Sequence, residues 1–394
     1  MHIIYLGSVT SKEEVTRLSG ASVAGNKMQW NVLTELKKYP NVSIDAFSIL
    51  SVAAFPKEKR LFVREERKEI SKGIYVTQIP FLNIPIIKQK MQSHELYKHA
   101  RKAASKNSIA FSFNLYMQEG TALIKLKKKC NLKIVSLLAD LPIDDNYNRK
   151  GLMRLLYQYF FKKSQKNISA CDNLIVLNEC AVKEYAPAAN YIVVEGGVET
   201  AETGDYKKQS ILRKNVIYSG ALTEYSGICE LVFAMKEVKD SEIVLEIYGD
   251  GPLREWIEEQ SGCCENVIYK GKVTNKEMIQ IQQKAWLLVN PRPVNDKIAK
   301  VTFPSKIFEY MVSGRPVLST ALTGFTKEYR DRMFIAENST PKCLADMINL
   351  VAERPLSELQ DKADDAREFI LSEKTWEKQT RKIFDFLKEI EIKG

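Results

Sequence analysis

At 394 residues, 45% of them hydrophobic and 27% charged, the chain is too long for one ordinary core and too apolar for disorder, which predicts two domains of nearly equal size. No apolar run approaches the roughly 20 residues of a membrane helix, and the opening HIIYLG has neither a basic leader nor a cleavage site, so a cytoplasmic location is expected. The net charge of +10 is uneven: residues 1–195 carry 30 Lys and Arg against 17 Asp and Glu, and residues 196–394 carry 29 against 32, so the first half is the one expected to meet something acidic.

Along the first half, HIIYLG, NVSIDAFS, IYVTQIP, SIAFSFN, LKIVSLL and NLIVLN read as strands, with helical patterns over residues 26–38 and 91–105. The segment NRKGLMRLLYQYFFKKSQKN, residues 148–167, sets Leu152, Leu155, Leu156, Tyr159 and Phe160 among Arg149, Lys150, Arg154, Lys162 and Lys163. It either lies in an anionic membrane interface or packs on a core with a charged outer face. The polar, Gly-rich stretch 193–210 predicts the boundary between domains. After it NVIYSG, EIVLEIYG, NVIYKG, AWLLVN and RPVLST read as strands, with helices over 228–238 and 276–283. The closing TWEKQTRKIFDFLKEIEIKG places Trp376, Ile383, Phe384 and Leu387 near one face of a helix that needs a surface to pack on.

Strands alternating with helices predict α/β architecture, two doubly wound Rossmann-like domains with parallel sheets covered on both faces and a cleft between them. The boundaries expected are 1–195, 196–372, and a final helix over 373–394 returning toward the first domain. The seven cysteines have no metal-ligand or CxxC spacing and read as reduced packing residues.

In doubly wound sheets ligands collect beyond the carboxyl ends of the strands. Gly220 ends NVIYSG, Gly249 and Gly251 follow EIVLEIY, Gly271 follows NVIYK, and Asn290 to Arg292 follow AWLLV. Glycine lets a backbone approach a phosphate closely, although turns after strands use it routinely. The stretch FPSKIFEYMVSGRPVLST, residues 303–320, reads as a helix running into a buried strand, with the carboxylate of Glu309 inside it. That carboxylate pairs with Lys306 at i−3 or lines a cleft and meets a ligand.

Taken in order, SGALTEYSGICELVFAM, LEIYGDGPLREWIEE, NVIYKGKV, WLLVNPRP and FPSKIFEYMVSGRPVLST resemble the nucleotide-sugar-binding domain of the retaining GT-B glycosyltransferases, in particular family 4. The resemblance is dense over about residues 215–350 and weaker in the first half, where GASVAGNKMQWNVLTEL and LLADLP carry it. It implies a transferase moving a sugar from a nucleotide-diphosphate donor, with UDP the expected nucleotide, and no further cofactor. Glu309 would accept hydrogen bonds from the ribose hydroxyls, which an ionised carboxylate can take together. Lys306 would meet the diphosphate, and Gly220, Gly249, Gly251, Lys272, Val273, Arg292, Lys300, Pro304, Ser305 and Ile307 would complete the donor site. In the first half the Gly7 to Gly25 loop resembles the one that closes over acceptor and phosphates, which adds Gly20, Gly25 and Asn26.

The departures are specific. Relatives often carry a second glutamate eight residues before the ribose-binding one, where this chain has Val301; Ala221 and Ser226 stand where an arginine and a lysine usually face the diphosphate. The cations Arg292, Lys297, Lys300 and Lys306 crowd the following loops instead. LKIVSLL ends in Ala139 where relatives show histidine, leaving Asp140 either to orient or deprotonate an acceptor hydroxyl or to cap a turn before Pro142. No DxD pair and no metal-ligand cluster occurs, so positioning, cations and helix dipoles are expected to stabilise the leaving group. The basic half suggests a polyprenyl-diphosphate-linked saccharide acceptor at an anionic membrane surface, the inner face of the cell membrane, in envelope or capsular polysaccharide synthesis. Nucleic acid is not expected, no recognition motif being present. A UDP-sugar epimerase on the same fold and a non-catalytic partner subunit are the alternatives.

Overall fold

The computed structural model describes residues 1–142, 150–199, 213–295 and 299–392, with Leu152 described by its backbone alone; Arg149, Lys297 and most of the polar boundary stretch lie outside the described residues. The chain divides into two compact units, Met1–Glu195 with Trp376–Gly394, and Gly196–Thr375.

The first unit is built on β1 (His2–Gly7), β2 (Ser43–Ser48), β3 (Phe62–Val63), β4 (Glu66–Ser71), β5 (Ile74–Gln78), β6 (Phe81–Leu82), β7 (Ser108–Phe113), β8 (Lys133–Leu138), β9 (Asn173–Val176) and β10 (Asn190–Val193). Eight of these form one sheet in the order β10-β9-β8-β7-β1-β2-β5-β4. It is parallel except for β4, which pairs antiparallel with β5. The strands β3 and β6 pair by themselves as a short antiparallel ribbon.

Side chains alternate across a strand, so Ile3 and Tyr5 face one side of the sheet and Ile4 and Leu6 the other, and all four are buried. Burial on both faces is why β1 and β7 read as nearly continuous apolar runs. The Ile3 side is covered by the helix Val23–Lys37, through Val32, Leu33 and Leu36, and by the last helix, Trp376–Ile392, through Ile383, Phe386, Leu387 and Ile390. Phe384 is half-buried and stacks on Tyr39 with 3.8 Å between ring centroids. On the opposite side the helices Ile87–Ala103, Met117–Cys130 and Gly151–Ser169 pack in that order, each against the next.

The second unit holds β11 (Asn215–Ala221), β12 (Val244–Asp250), β13 (Val267–Gly271), β14 (Leu287–Asn290), β15 (Val317–Thr320) and β16 (Phe334–Ala336). They form a parallel sheet ordered β13-β12-β11-β14-β15-β16. Numbered within the unit, this is 3-2-1-4-5-6, the order of dinucleotide-binding sheets, and it reverses direction between β11 and β14. Trp286, 1% exposed, sits in the core with Leu245, Ile247 and Leu318. The helix Pro341–Ala352 closes over them through Leu344, Ile348 and Val351, its start fixed by Pro341 and by Thr340, whose hydroxyl accepts from the Cys343 amide at 3.3 Å.

Among the described residues no helix is long and apolar enough to cross a membrane. Because the last helix completes the first unit's core, Leu387→Ala is expected to destabilise that unit by about 2–5 kcal/mol. Hydrogen exchange should show lost protection in β1, β2 and the helix Val23–Lys37 while β11 to β16 keep theirs.

Candidate active site

In the second unit the reversal point is built by backbone packing against backbone. Gly249 pairs in register with Gly220 and has φ 142°; a Cβ there would lie 1.9 Å from the Gly220 carbonyl oxygen. Gly227, at φ 75°, brings the loop after β11 against the loop after β14, where a Cβ would lie 2.0 Å from the Pro291 carbonyl oxygen. Neither position tolerates a side chain. The end of β14 is tied to β15 by Asn290, whose Nδ2 donates to Ser319 Oγ at 2.8 Å.

The helix Lys306–Val312 is anchored to the same place by Tyr310. Its hydroxyl accepts from the Ser219 amide at 3.0 Å, lies 3.2 Å from Ser219 Oγ, and donates to the Ser219 carbonyl at 3.2 Å. Gln282 Nε2 completes the cluster on Ser219 Oγ at 3.2 Å. Burial pushes the Tyr310 phenol up to about 12 although the Ser219 groups pull the other way. The residue before it, Glu309, is thereby held at the carboxyl edge of the sheet. Its Oε2 accepts from Lys306 Nζ at 2.8 Å, and both side chains are 37% exposed. An ion pair this exposed, one helical turn apart, stabilises by only about 0.2–0.5 kcal/mol, so opening it toward a ligand costs little.

Around that pair, Gly220, Gly249 and Gly251 close the ends of β11 and β12, while Arg292, half-buried, follows β14. Lys300 is exposed, and its carbonyl accepts from Thr323 Oγ1 at 3.4 Å. Lys272, exposed, and Val273, half-buried, lead from β13 into the helix Asn275–Gln282, whose first turn is closed by reciprocal bonds between Thr274 and Glu277. Pro304 is buried, Ser305 is exposed, and Ile307 turns fully inward, its amide bonded to the Pro304 carbonyl at 3.0 Å. Val301 is buried and brings no polar group.

In the first unit the strand order reverses between β1 and β7, and the loops there are shaped by side-chain amides. Asn26 is buried: its Oδ1 accepts from the Thr10 amide at 2.8 Å and its Nδ2 donates to the Thr10 carbonyl at 3.2 Å, so it clamps the loop after β1. Gly25 donates to Ser22 Oγ at 3.0 Å in the first turn of the helix Val23–Lys37, and Gly20 lies against the backbone of Ser51 and Val52. Asn114, at φ 59°, offers its Oδ1 to the amides of Ala139, 2.9 Å, and Asp140, 3.0 Å, which fixes the turn after β8. Crowding by these loops raises the Asp140 carboxyl above its ordinary value, against a lowering hydrogen bond from Asn114, although the side chain still reaches water.

Sequence reasoning missed Glu119. It stands in the first turn of the helix Met117–Cys130 beyond β7, is 7% exposed, and its Oε2 has no hydrogen-bond partner. Burial pushes its carboxyl up to about 7, which its own backbone amide only partly offsets. Nothing in MQEG distinguishes it from an ordinary acidic residue at a helix start. Among the described residues no group of three or more His, Cys, Asp or Glu is placed to hold a metal ion.

Residues 213–354 match the family model described as Glycosyl transferases group 1. The second unit carries a group 1 glycosyltransferase domain. Over the whole chain, the solved structures it resembles include sucrose-phosphate synthase from Thermosynechococcus elongatus, at TM-score 0.69, 14% identity and 100% coverage of both chains. Anabaena HepE in complex with UDP aligns at TM-score 0.68 and 14% identity, over 99% of this chain and 100% of that one. The Escherichia coli trehalose-6-phosphate protein bound with UDP-2-fluoro glucose aligns at TM-score 0.69 and 10% identity, over 100% and 99%. At such identities the likeness establishes the fold, which is GT-B. No curated protein matches the chain in sequence. Within the group 1 domain lie Gly220, the Lys306–Glu309 pair and Tyr310.

The buried carboxyl gives a prediction with a definite sign. Glu119 carries a raised value in the folded chain, so it favours folding while protonated, below about pH 4.5, and that contribution is lost as pH rises toward about 7. Glu119→Gln should therefore flatten the pH dependence of stability across that window and gain up to about 3 kcal/mol at pH 8. Urea denaturation at pH 5 and pH 8 measures both.

Proposed function

We propose that the chain is a retaining, metal-independent glycosyltransferase that takes a sugar from a nucleotide-diphosphate donor, with UDP the nucleotide. Its acceptor is a lipid-linked or other saccharide on the cytoplasmic side of a membrane, in envelope or capsular polysaccharide synthesis. The observation that carries this reading is the Lys306–Glu309 pair, held at the reversal point of a dinucleotide-type sheet by Tyr310. The structural neighbours that hold UDP and UDP-2-fluoro glucose support the choice of nucleotide.

In this reading Glu309 releases Lys306 when the nucleoside enters, accepting both ribose hydroxyls while Lys306 turns to the diphosphate. Arg292 and Lys300 add positive charge on the same side. The acceptor hydroxyl attacks the anomeric carbon on the face from which the diphosphate departs. Its oxygen bonds to carbon as the carbon–diphosphate bond breaks, and its proton passes to a leaving phosphate oxygen. The protein contributes positioning and charge stabilisation, so no side chain has to act as a strong base. In the first unit Asp140 orients the acceptor hydroxyl.

Glu309→Gln should weaken UDP binding at least tenfold in calorimetry, the loss of one charge-assisted hydrogen bond being about 1.5–3 kcal/mol, with the melting temperature unchanged. Unaltered UDP affinity would refute the ribose assignment. Transfer activity should also survive EDTA; activity lost to EDTA and restored by Mg²⁺ or Mn²⁺ would overturn the metal-independent mechanism.

A further inference from the structure

The first unit carries a surface that the donor and acceptor chemistry does not use. The ribbon of β3 and β6, with the loops on either side, exposes Phe55, Leu61, Phe62 and Ile87, each more than 40% accessible. Isolated apolar side chains on a surface are ordinary, but four on one short stretch are not. Nor is this a floppy loop. Asn83, fully buried, donates through Nδ2 to the carbonyls of Ala53, 2.9 Å, and Arg60, 3.0 Å. Its amide bonds to the Leu61 carbonyl at 2.7 Å and its carbonyl accepts from the Phe55 amide at 2.9 Å, so one residue ties both limbs. Val63 and Phe81, opposite each other in the ribbon, are buried and turn the neighbouring Phe62 outward.

The charge around these side chains has one sign. Residues 55–90 carry nine Lys and Arg against four Asp and Glu. Lys57, Lys59, Arg60, Arg64 and Lys90 are all exposed. Among the acids, Glu65 bonds to His99 and Glu66 pairs with Lys68. The ribbon also lies at a defined edge. Residues 49–61 leave the carboxyl end of β2, residues 79–86 leave that of β5, and Ile87 begins a helix that starts there. The helix Gly151–Ser169, which packs on Met117–Cys130, exposes Met153, Leu155 and Tyr159.

We propose that the ribbon is a membrane-docking surface: Phe55, Leu61, Phe62 and Ile87 enter the interface of an anionic bilayer while the surrounding lysines and arginines meet its phosphates. Apolar side chains ringed by cations fit that partner in both respects. The ribbon packs on the helix Ile87–Ala103, and it sets the carboxyl edge of the first unit toward the lipid. This deepens the proposed function and rests on its membrane-side acceptor, but the binding itself requires no donor or acceptor.

The test is co-sedimentation of the full chain with phosphatidylglycerol-containing and pure phosphatidylcholine vesicles, without nucleotide sugar. The chain should partition at least tenfold more strongly onto the anionic vesicles. Leu61→Ser with Phe62→Ser should lower that partition by about tenfold or more, and Lys57→Gln with Lys59→Gln by about fivefold per cation removed. All four positions are exposed, and UDP affinity of the second unit serves as the check that each variant is folded. Equal binding to both vesicle types, or no change in either double variant, would overturn the proposal. So would a partition reduced only by Met153→Ser with Leu155→Ser, or displacement from the vesicles by a single-stranded oligonucleotide at equal phosphate concentration. Loss of UDP binding by Glu309→Gln is a separate readout, so failure of the membrane surface and failure of the donor site can be told apart.

Discussion

A phenol buried among strand ends is costly unless its hydroxyl is satisfied, and in this chain the hydroxyl of Tyr310 is satisfied by the backbone and side chain of Ser219. The helix that carries it, Lys306–Val312, is seven residues long, too short to persist on its own propensity. Its position therefore depends on what it buries: Ile307 and Met311 in the core, and Tyr310 under the end of β11. Lys306 and Glu309 lie on the remaining face. Their place at the carboxyl edge of the sheet is set by these buried neighbours.

The two units solve the same problem with different materials. Both have sheets whose strand order reverses next to their first strand, and in both the loops beyond the carboxyl ends must be held in fixed shapes. In the second unit glycine does this by letting backbones meet, as at Gly249 and Gly227. In the first, amide side chains act as struts: Asn26 on Thr10, Gln29 on the Ser8 amide and the Tyr5 hydroxyl, and Asn114 on the turn before Asp140.

The doubly wound architecture was legible because parallel strands buried on both faces cannot avoid being β-branched and apolar, as HIIYLG and SIAFSF are. The short or polar strands were not. Phe334–Ala336 is too brief to display an alternation, and the edge strand Glu66–Ser71, reading ERKEIS, looks like a solvated loop. The ribbon escaped because its two strands are two residues each and its pairing is set by Asn83 from outside them. At the site, the pattern around Glu309 was readable, but the bonding of Asn26, the inward turn of Ile307 and the burial of Glu119 depend on tertiary neighbours. The helix expected over residues 228–238 ends at Ala234.

The last helix has a consequence for how the chain is made. Trp376, Ile383, Phe386, Leu387 and Ile390 share a core with Ile3 and Tyr5, so that core lacks one wall until the segment Trp376–Ile392 has been translated. Gly196–Thr375, by contrast, is a continuous stretch of the chain. The first unit is thus completed out of sequence order: part of its apolar face stays uncovered until Trp376–Ile392 has followed the second unit in the chain.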